Sequence, residues 1–212
     1  MQSRESLILT KYFSQYHFVL FSQDTYAKWS DVLHFKNKRT TYLFTKTTSD
    51  HKNASVSVVT HKGMITEVHY NQPCGDKKIF KHLINLPVSI LENFEKLPEV
   101  LKLVHEHLSF FDYEKQRKQY DAKQMTLFYT KIEEGHLVVG CDVTFSLHDK
   151  IHCYIQPRCE FPENTSSNMH NTDVVGNYIT GLVWEECQEV SYVLHKNFPE
   201  LDVELKQMEV FR

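Results

Sequence analysis

The chain has 212 residues, of which 41% are hydrophobic and 24% charged, a composition typical of folded rather than disordered proteins. The formal net charge of −3 argues against broad electrostatic binding to nucleic acid or to an anionic membrane surface. No apolar run approaches the roughly 20 residues that a membrane helix needs, and the first residues lack the features of a signal peptide. We therefore expect an intracellular protein, cytoplasmic or nuclear, with no membrane span and no nucleic-acid partner.

The five cysteines are odd in number and irregular in spacing. This pattern favours reduced thiols over a disulfide framework and agrees with an intracellular location. There is no glycine-rich phosphate loop, so the sequence predicts no bound cofactor.

The first half of the chain reads mainly as strands. Residues 3–14 fit either a helix or a strand, and this choice stays open. The residues between the last two predicted strands, His61-Lys62-Gly63, indicate a short hairpin turn because glycine adopts positive φ at little cost. Segments rich in Val, Thr and aromatic residues predict strands at 16–21, 41–46, 54–60 and 64–70.

Helical spacing begins after Asp76. We expect short helices at 79–84 and 88–96 and a longer helix from Pro98, a residue type that suits a first turn. Residues 113–121 are polar throughout and predict an extension of that helix towards solvent or a partner. The predicted apolar stripe of the longer helix consists of Leu97, Val100, Leu101, Val104, Leu108 and Phe111.

Two neighbouring phenylalanines end this stripe. Phe110 and Phe111 differ by about 100° around a helix, so both cannot face the centre of one buried stripe. Exposed aromatic side chains are common interface anchors. We therefore predict that Phe110, Phe111 and Tyr113 contribute to partner binding.

The second half opens with another strand meander, at 125–132, 137–147 and 151–155. In the middle segment six apolar residues alternate with smaller or polar ones, which predicts a strand with one buried face. A helix of about 25 residues then starts at Thr172 or Asp173, and 202–211 closes the chain as a strand. The predicted buried stripe of that helix is Val175, Ile179, Leu182, Val183, Cys187, Val190 and Leu194.

Consecutive strands followed by helices predict an α+β fold with antiparallel sheet, built from two meanders that are each followed by helix. A long C-terminal helix and a final strand complete it. We expect a single domain over residues 1–212, or as the alternative two tightly packed halves, 1–122 and 123–212.

The densest set of candidate catalytic residues lies near Cys159. This cysteine follows Arg158 and precedes a polar loop, so the sequence predicts that it leaves the strand alternation as an accessible thiol. His152 or His170 would then supply the base. Zinc sites usually combine a CxxC pair, or an HxxxH pair on a helix, with a second pair of ligands. The sequence contains no CxxC pair and no HxxxH pair within a predicted helix, so we predict no metal site.

These observations favour a non-enzymatic protein–protein interaction module, an adaptor or complex subunit in a homo- or hetero-oligomer. One alternative is a cysteine-dependent transferase or hydrolase centred on Cys159. The other is a binder of small apolar ligands, held in a cavity between sheet and helix.

Overall fold

A computed structural model describes residues 3–29, 36–47, 53–71, 77–109, 111–120, 124–132, 138–147, 151–160 and 169–211. The chain forms two compact units, Met1–Lys102 and Leu103–Arg212. The sequence-based division into a single domain, or into two tightly packed halves that meet after residue 122, is not tested by this and remains a prediction. Among the described residues no helix is long and apolar enough to cross a membrane.

The first unit combines a four-stranded antiparallel sheet with short helices. Its strands follow one another in space as they do in sequence, in the order β1-β2-β3-β4. Helix α4 starts in this unit and ends in the second. The elements are α1 (Arg4–Ser14), β1 (Val19–Trp29), β2 (Lys36–Thr47), β3 (Asn53–His61), β4 (Met64–Asn71), α2 (Lys77–Phe80), a 3₁₀ turn (Lys81–Leu83), α3 (Ile90–Asn93) and α4 (Leu97–His107).

Local sequence explains where two of these elements start and stop. Ser3 caps α1, because its side-chain oxygen accepts a hydrogen bond from the backbone N–H of Ser6 at 3.2 Å. The sequence left open whether residues 3–14 form a helix or a strand. In the structure they form helix α1, with Ser3 as its N-cap. Lys62 and Gly63 both have positive φ, 49° and 79°, as a two-residue hairpin turn between β3 and β4 requires.

An aromatic cluster forms much of the core of the first unit. Phe13 of α1 stacks on Phe44 of β2 with ring centroids 4.4 Å apart, and Phe80 packs against Phe13 at 5.1 Å. Phe18, just before β1, meets both Phe13 and Phe80 edge to face. All four side chains are buried, so α1, α2 and the sheet share one apolar centre.

The second unit is built on a mixed sheet with the strand order β10-β8-β7-β6-β5, and β9 also pairs with β8. The meander β5 to β8 is antiparallel, whereas β9 and β10 both run parallel to β8. The α+β class with antiparallel meanders is confirmed. The elements are β5 (Asp112–Tyr120), β6 (Gln124–Ile132), β7 (Val138–Leu147), β8 (Ile151–Glu160), α5 (Met169–Asn197), β9 (Asp202–Leu205) and β10 (Glu209–Phe211).

The predicted alternation along β7 is confirmed. From Val139 to Phe145 every second side chain is fully buried, whereas those of Asp142, Thr144 and Ser146 are only partly covered. Leu137 and the side chain of Leu147 are outside the described residues. Helix α5 begins at Met169, earlier than predicted. The buried side chains on β7 are Val139, Cys141, Val143 and Phe145, and those described on α5 are Ile179, Val183, Cys187, Val190 and Leu194. Leu182, predicted to belong to the buried stripe of α5, is only partly covered, and the side chain of Val175 is outside the described residues.

The predicted helical extension after α4 is wrong. Helix α4 ends at His107, and residues 112–120 form β5, an antiparallel neighbour of β6. Arg117 pairs with Phe128 and Tyr120 with Met125. The strand β6 supplies the hydrogen-bond partners, so a tertiary contact overrides the high helix propensity of Glu, Lys, Gln and Arg.

Candidate protein-binding site

The thiol of Cys159 does not have the accessible position that the sequence predicted. Strand β8 continues to Glu160, so Cys159 stays in the strand alternation, and its side chain is fully buried. Burial raises the pKa of the Cys159 thiol, and the nearby charge of Glu160 raises it further. A reactive cysteine needs the opposite, a lowered pKa in an electropositive setting.

His152 cannot serve as a base for Cys159 in this geometry. The two residues are seven positions apart on one regular strand, so their side chains leave opposite faces about 23 Å apart. His152 Nδ1 instead lies 2.9 Å from Oδ2 of Asp202 and so links β8 to β9. His170 lies in α5, but its side chain is outside the described residues.

The other described cysteines are core residues too. Cys141, Cys153 and Cys187 are free and fully buried, and burial raises the pKa of the Cys141 and Cys153 thiols. Cys74 lies outside the described residues. Within the described ranges, no group of three or more His, Cys, Asp or Glu side chains could hold a metal ion.

The predicted aromatic partner site also changes. Phe111 is only 1% exposed, and its N–H donates to the carbonyl oxygen of Leu108 at 3.1 Å. The chain thus turns tightly after α4, and Phe111 belongs to the core instead of a binding surface. Phe110 lies outside the described residues, as does the side chain of Tyr113 on β5, so their predicted roles remain predictions.

The most exposed apolar side chains lie elsewhere, at the start of β1. Phe21 is 73% exposed and Val19 is 69% exposed, and Tyr26 on the same strand is also exposed. A single exposed apolar residue is ordinary, whereas several on one strand mark a candidate interaction surface. We call residues 19–23, with the sequence VLFSQ, the β1 edge.

A β-bulge lies in the middle of the β1 edge. Leu20 pairs with Phe44 and Ser22 pairs with Leu43, so Phe21 is an extra residue with no partner on β2. Bulges redirect side chains and often occur at sheet edges and functional sites. Here the bulged residue is the phenylalanine whose side chain is exposed.

The start of the opposite edge strand, β4, is covered by another segment of the chain. Ile65 N–H donates to Leu86 O, Asn85 N–H to Ile65 O and Val88 N–H to Gly63 O, each at 2.8 Å. These three bonds tie the segment before α3 to β4. By contrast, β1 pairs only with β2 among the described residues, so its outer row of backbone donors and acceptors has no strand beside it.

The edges of the second sheet have the usual protections against unwanted pairing. Strand β5, with the sequence DYEKQRKQY, carries charges along its length, while β9 and β10 contain only four and three residues. Charged or very short strands resist pairing with another chain. Residues 19–23 contain no Asp, Glu, Lys, Arg, Gly or Pro, so the β1 edge lacks both protections.

Helix α5 presents a second exposed aromatic surface. Tyr178 and Tyr192 are exposed on the side of the helix opposite its buried stripe. Between them on that side lie Glu185 and Glu189, and Lys196 Nζ is 6.0 Å from the Tyr192 ring centroid. Because charged residues are interspersed, this surface is a weaker candidate for apolar docking than the β1 edge.

In comparisons with known proteins, no protein-family model, curated protein or solved structure matches the chain.

Proposed function

We propose that this chain is a non-enzymatic protein–protein interaction module, an adaptor or complex subunit, that docks another protein chain at the β1 edge. The carrying observation is the exposure of Val19 and Phe21 on a strand whose outer edge has no neighbouring strand among the described residues. The four buried, free cysteines support a reducing compartment, so the proposed location is the cytoplasm or nucleus.

The exposed apolar side chains of this edge would contribute part of the free energy of binding. Burial of a whole Val or Phe side chain contributes about 1.5–3 kcal/mol, so covering two that are roughly 70% exposed contributes about 2–4 kcal/mol. Main-chain hydrogen bonds along the strand would add to this and fix the register of the partner. Such an edge can therefore supply both affinity and orientation.

The two alternatives from the sequence receive less support. A cysteine-dependent enzyme centred on Cys159 would require this buried thiol to become exposed. Its raised pKa and its distance from His152 also disfavour formation of a thiolate. The apolar-ligand binder remains a prediction from the sheet-and-helix architecture alone.

The test is a comparison of proteins captured by the 212-residue chain and by two variants of it. Phe21→Asp places a charge on the β1 edge, whereas Tyr192→Asp makes the matched change at a residue that is 66% exposed on α5. We expect a set of proteins captured by wild type and by Tyr192→Asp but lost with Phe21→Asp, while circular dichroism shows all three folded. A captured set that is unaffected by Phe21→Asp contradicts the proposal.

A further inference from the structure

We propose that the first unit binds single-stranded nucleic acid at the end of its sheet where β2 begins and β3 ends. This surface, which we call the basic end, comprises residues 26–28, 36–39 and 61–62. It lies at the other end of β1 from the β1 edge, so the inference goes beyond the proposed function and does not depend on it. Bases of the ligand would stack on a row of planar side chains, and its phosphates would lie near the cations.

Charge is divided unequally between the two units. Met1–Lys102 contains 14 Lys and Arg but only 9 Asp and Glu, a formal charge of +5, whereas Leu103–Arg212 contains 10 and 18, a formal charge of −8. The whole-chain value of −3, from which we expected no nucleic-acid partner, therefore conceals a basic unit. The local cation density matters here, because affinity for nucleic acid comes largely from neutralised phosphates.

Strand pairing brings several of these cations to the basic end. Lys28 lies near the end of β1 and Lys36 at the start of β2, on paired segments of the two strands. Lys62 is exposed in the turn after β3, and no described carboxylate forms an ion pair with it. Lys38 is exposed on the face opposite to Arg39 and still adds to the positive potential, because charges act over a Debye length of about 8–10 Å.

Three planar side chains lie in one row across the sheet. Tyr26 is directly opposite Arg39, and Arg39 is directly opposite His61, so the three share one face of three strands that are about 4.7–4.9 Å apart. Arg39 is three positions from the buried Tyr42, so this face points away from the aromatic core. Tyr26 is 44% exposed and the side chain of Arg39 is 32% exposed. Bases of single-stranded nucleic acid stack on all three side-chain types.

Three nearby acids define the path that a nucleic acid strand can take. The carboxylate of Glu67 is ion-paired with Arg39 at 2.8 Å, and Glu5 accepts hydrogen bonds from two side chains on the core face. Asp24 is exposed on the same face as Tyr26, two positions closer to the β1 edge, and would repel a phosphate. The phosphates should therefore follow the turn side of the planar row.

The first measurement is fluorescence anisotropy of a labelled oligouridylate RNA of about 15 nucleotides, a length that single-strand binding surfaces cover, titrated at low salt with the 212-residue chain. We expect Tyr26→Ala to weaken binding roughly tenfold through the loss of one stacked base. Tyr26→Phe keeps the ring and should bind like wild type, as should Tyr192→Ala, the matched change at an exposed tyrosine of α5. Absence of binding by wild type, or equal binding by Tyr26→Ala, overturns the inference.

The second measurement is the salt dependence of the same titration. The logarithm of affinity should fall with the logarithm of salt concentration, and Lys62→Gln should reduce the slope by about 0.7, the value for one phosphate of a single strand. Lys196→Gln, a matched change at an exposed lysine of α5, should leave the slope unchanged. If Lys62→Gln has the wild-type slope, the phosphates do not lie at the basic end and the proposed site is wrong.

Competition distinguishes nucleic acid from other polyanions. Unlabelled oligothymidylate should displace the RNA, because it offers both bases and phosphates. Polyglutamate offers carboxylates without bases and should compete much less well. Equal displacement by polyglutamate would overturn the assignment to nucleic acid. These measurements do not involve docking at the β1 edge, so their failure would leave the proposed function in place.

Discussion

Truncation of Val143 to alanine tests the register of the second sheet. Val143 on β7 is fully buried, and Leu127 of β6 and Ile155 of β8 lie directly beside it on the same face. The substitution removes two methyl-sized groups, worth about 0.8 kcal/mol each by transfer, and leaves a cavity that the two neighbouring strands cannot close. We expect the free energy of unfolding to fall by about 2–3 kcal/mol.

Thr144→Ala is the matched control on the adjacent position. Thr144 lies on the opposite face, and its hydroxyl is 3.0 Å from that of Thr126 in a part-buried hydrogen bond. Loss of this bond should cost no more than about 1 kcal/mol. Urea unfolding followed by circular dichroism measures both variants. Equal losses, or a larger loss for Thr144→Ala, would refute the assignment of faces along β7.

A Cβ on Gly140 would lie 2.9 Å from the carbonyl oxygen of Tyr129. Gly140→Ala should therefore lower the free energy of unfolding, measured in urea, by about 1–3 kcal/mol, although alanine reduces the conformational entropy of the unfolded chain. A stabilised variant would contradict this packing. Burial raises the pKa of Glu99 above its ordinary 4.5, so the native state binds that proton more tightly, and the associated stability is lost as pH rises through the raised pKa. Gln is a suitable neutral replacement, because Tyr16 can still donate to its amide oxygen. The stability of Glu99→Gln relative to wild type, measured by thermal melts, should accordingly increase between acid and neutral pH. A difference that does not change with pH would contradict this prediction. Cys159 should react with a mild alkylating agent near neutral pH only after denaturant is added, as mass spectrometry will show; fast labelling of the native protein would revive the enzyme alternative.

Pro157 illustrates how far the sequence predicted β8. Proline lacks the N–H that a central strand needs, so this residue type alone would be expected to interrupt the strand before Cys159. In the structure β9 pairs with residues 152–155 and β10 with residues 158–160, so Pro157 lies in the gap between them. The strand therefore continues, and Cys159 remains in the core.

The β1 edge shows the same limit for the candidate site. The sequence predicted a strand at 16–21, and none of its side chains was predicted to bind a partner. Whether a strand is an edge depends on which segments pair with it, and only the pairing of β1 with β2 reveals that Phe21 is bulged and exposed. A run of apolar residues without alternation was the one local signal available.

The sequence alone determined the α+β class, the two meanders and most of the buried side chains of α4, α5 and β7, because periodic burial of apolar side chains is a local property of the chain. Tertiary structure decided the rest. It turned the polar segment after α4 into β5, kept Cys159 in β8 and left β1 at an open edge, because strand pairing joins residues that are distant in sequence and that no local pattern encodes.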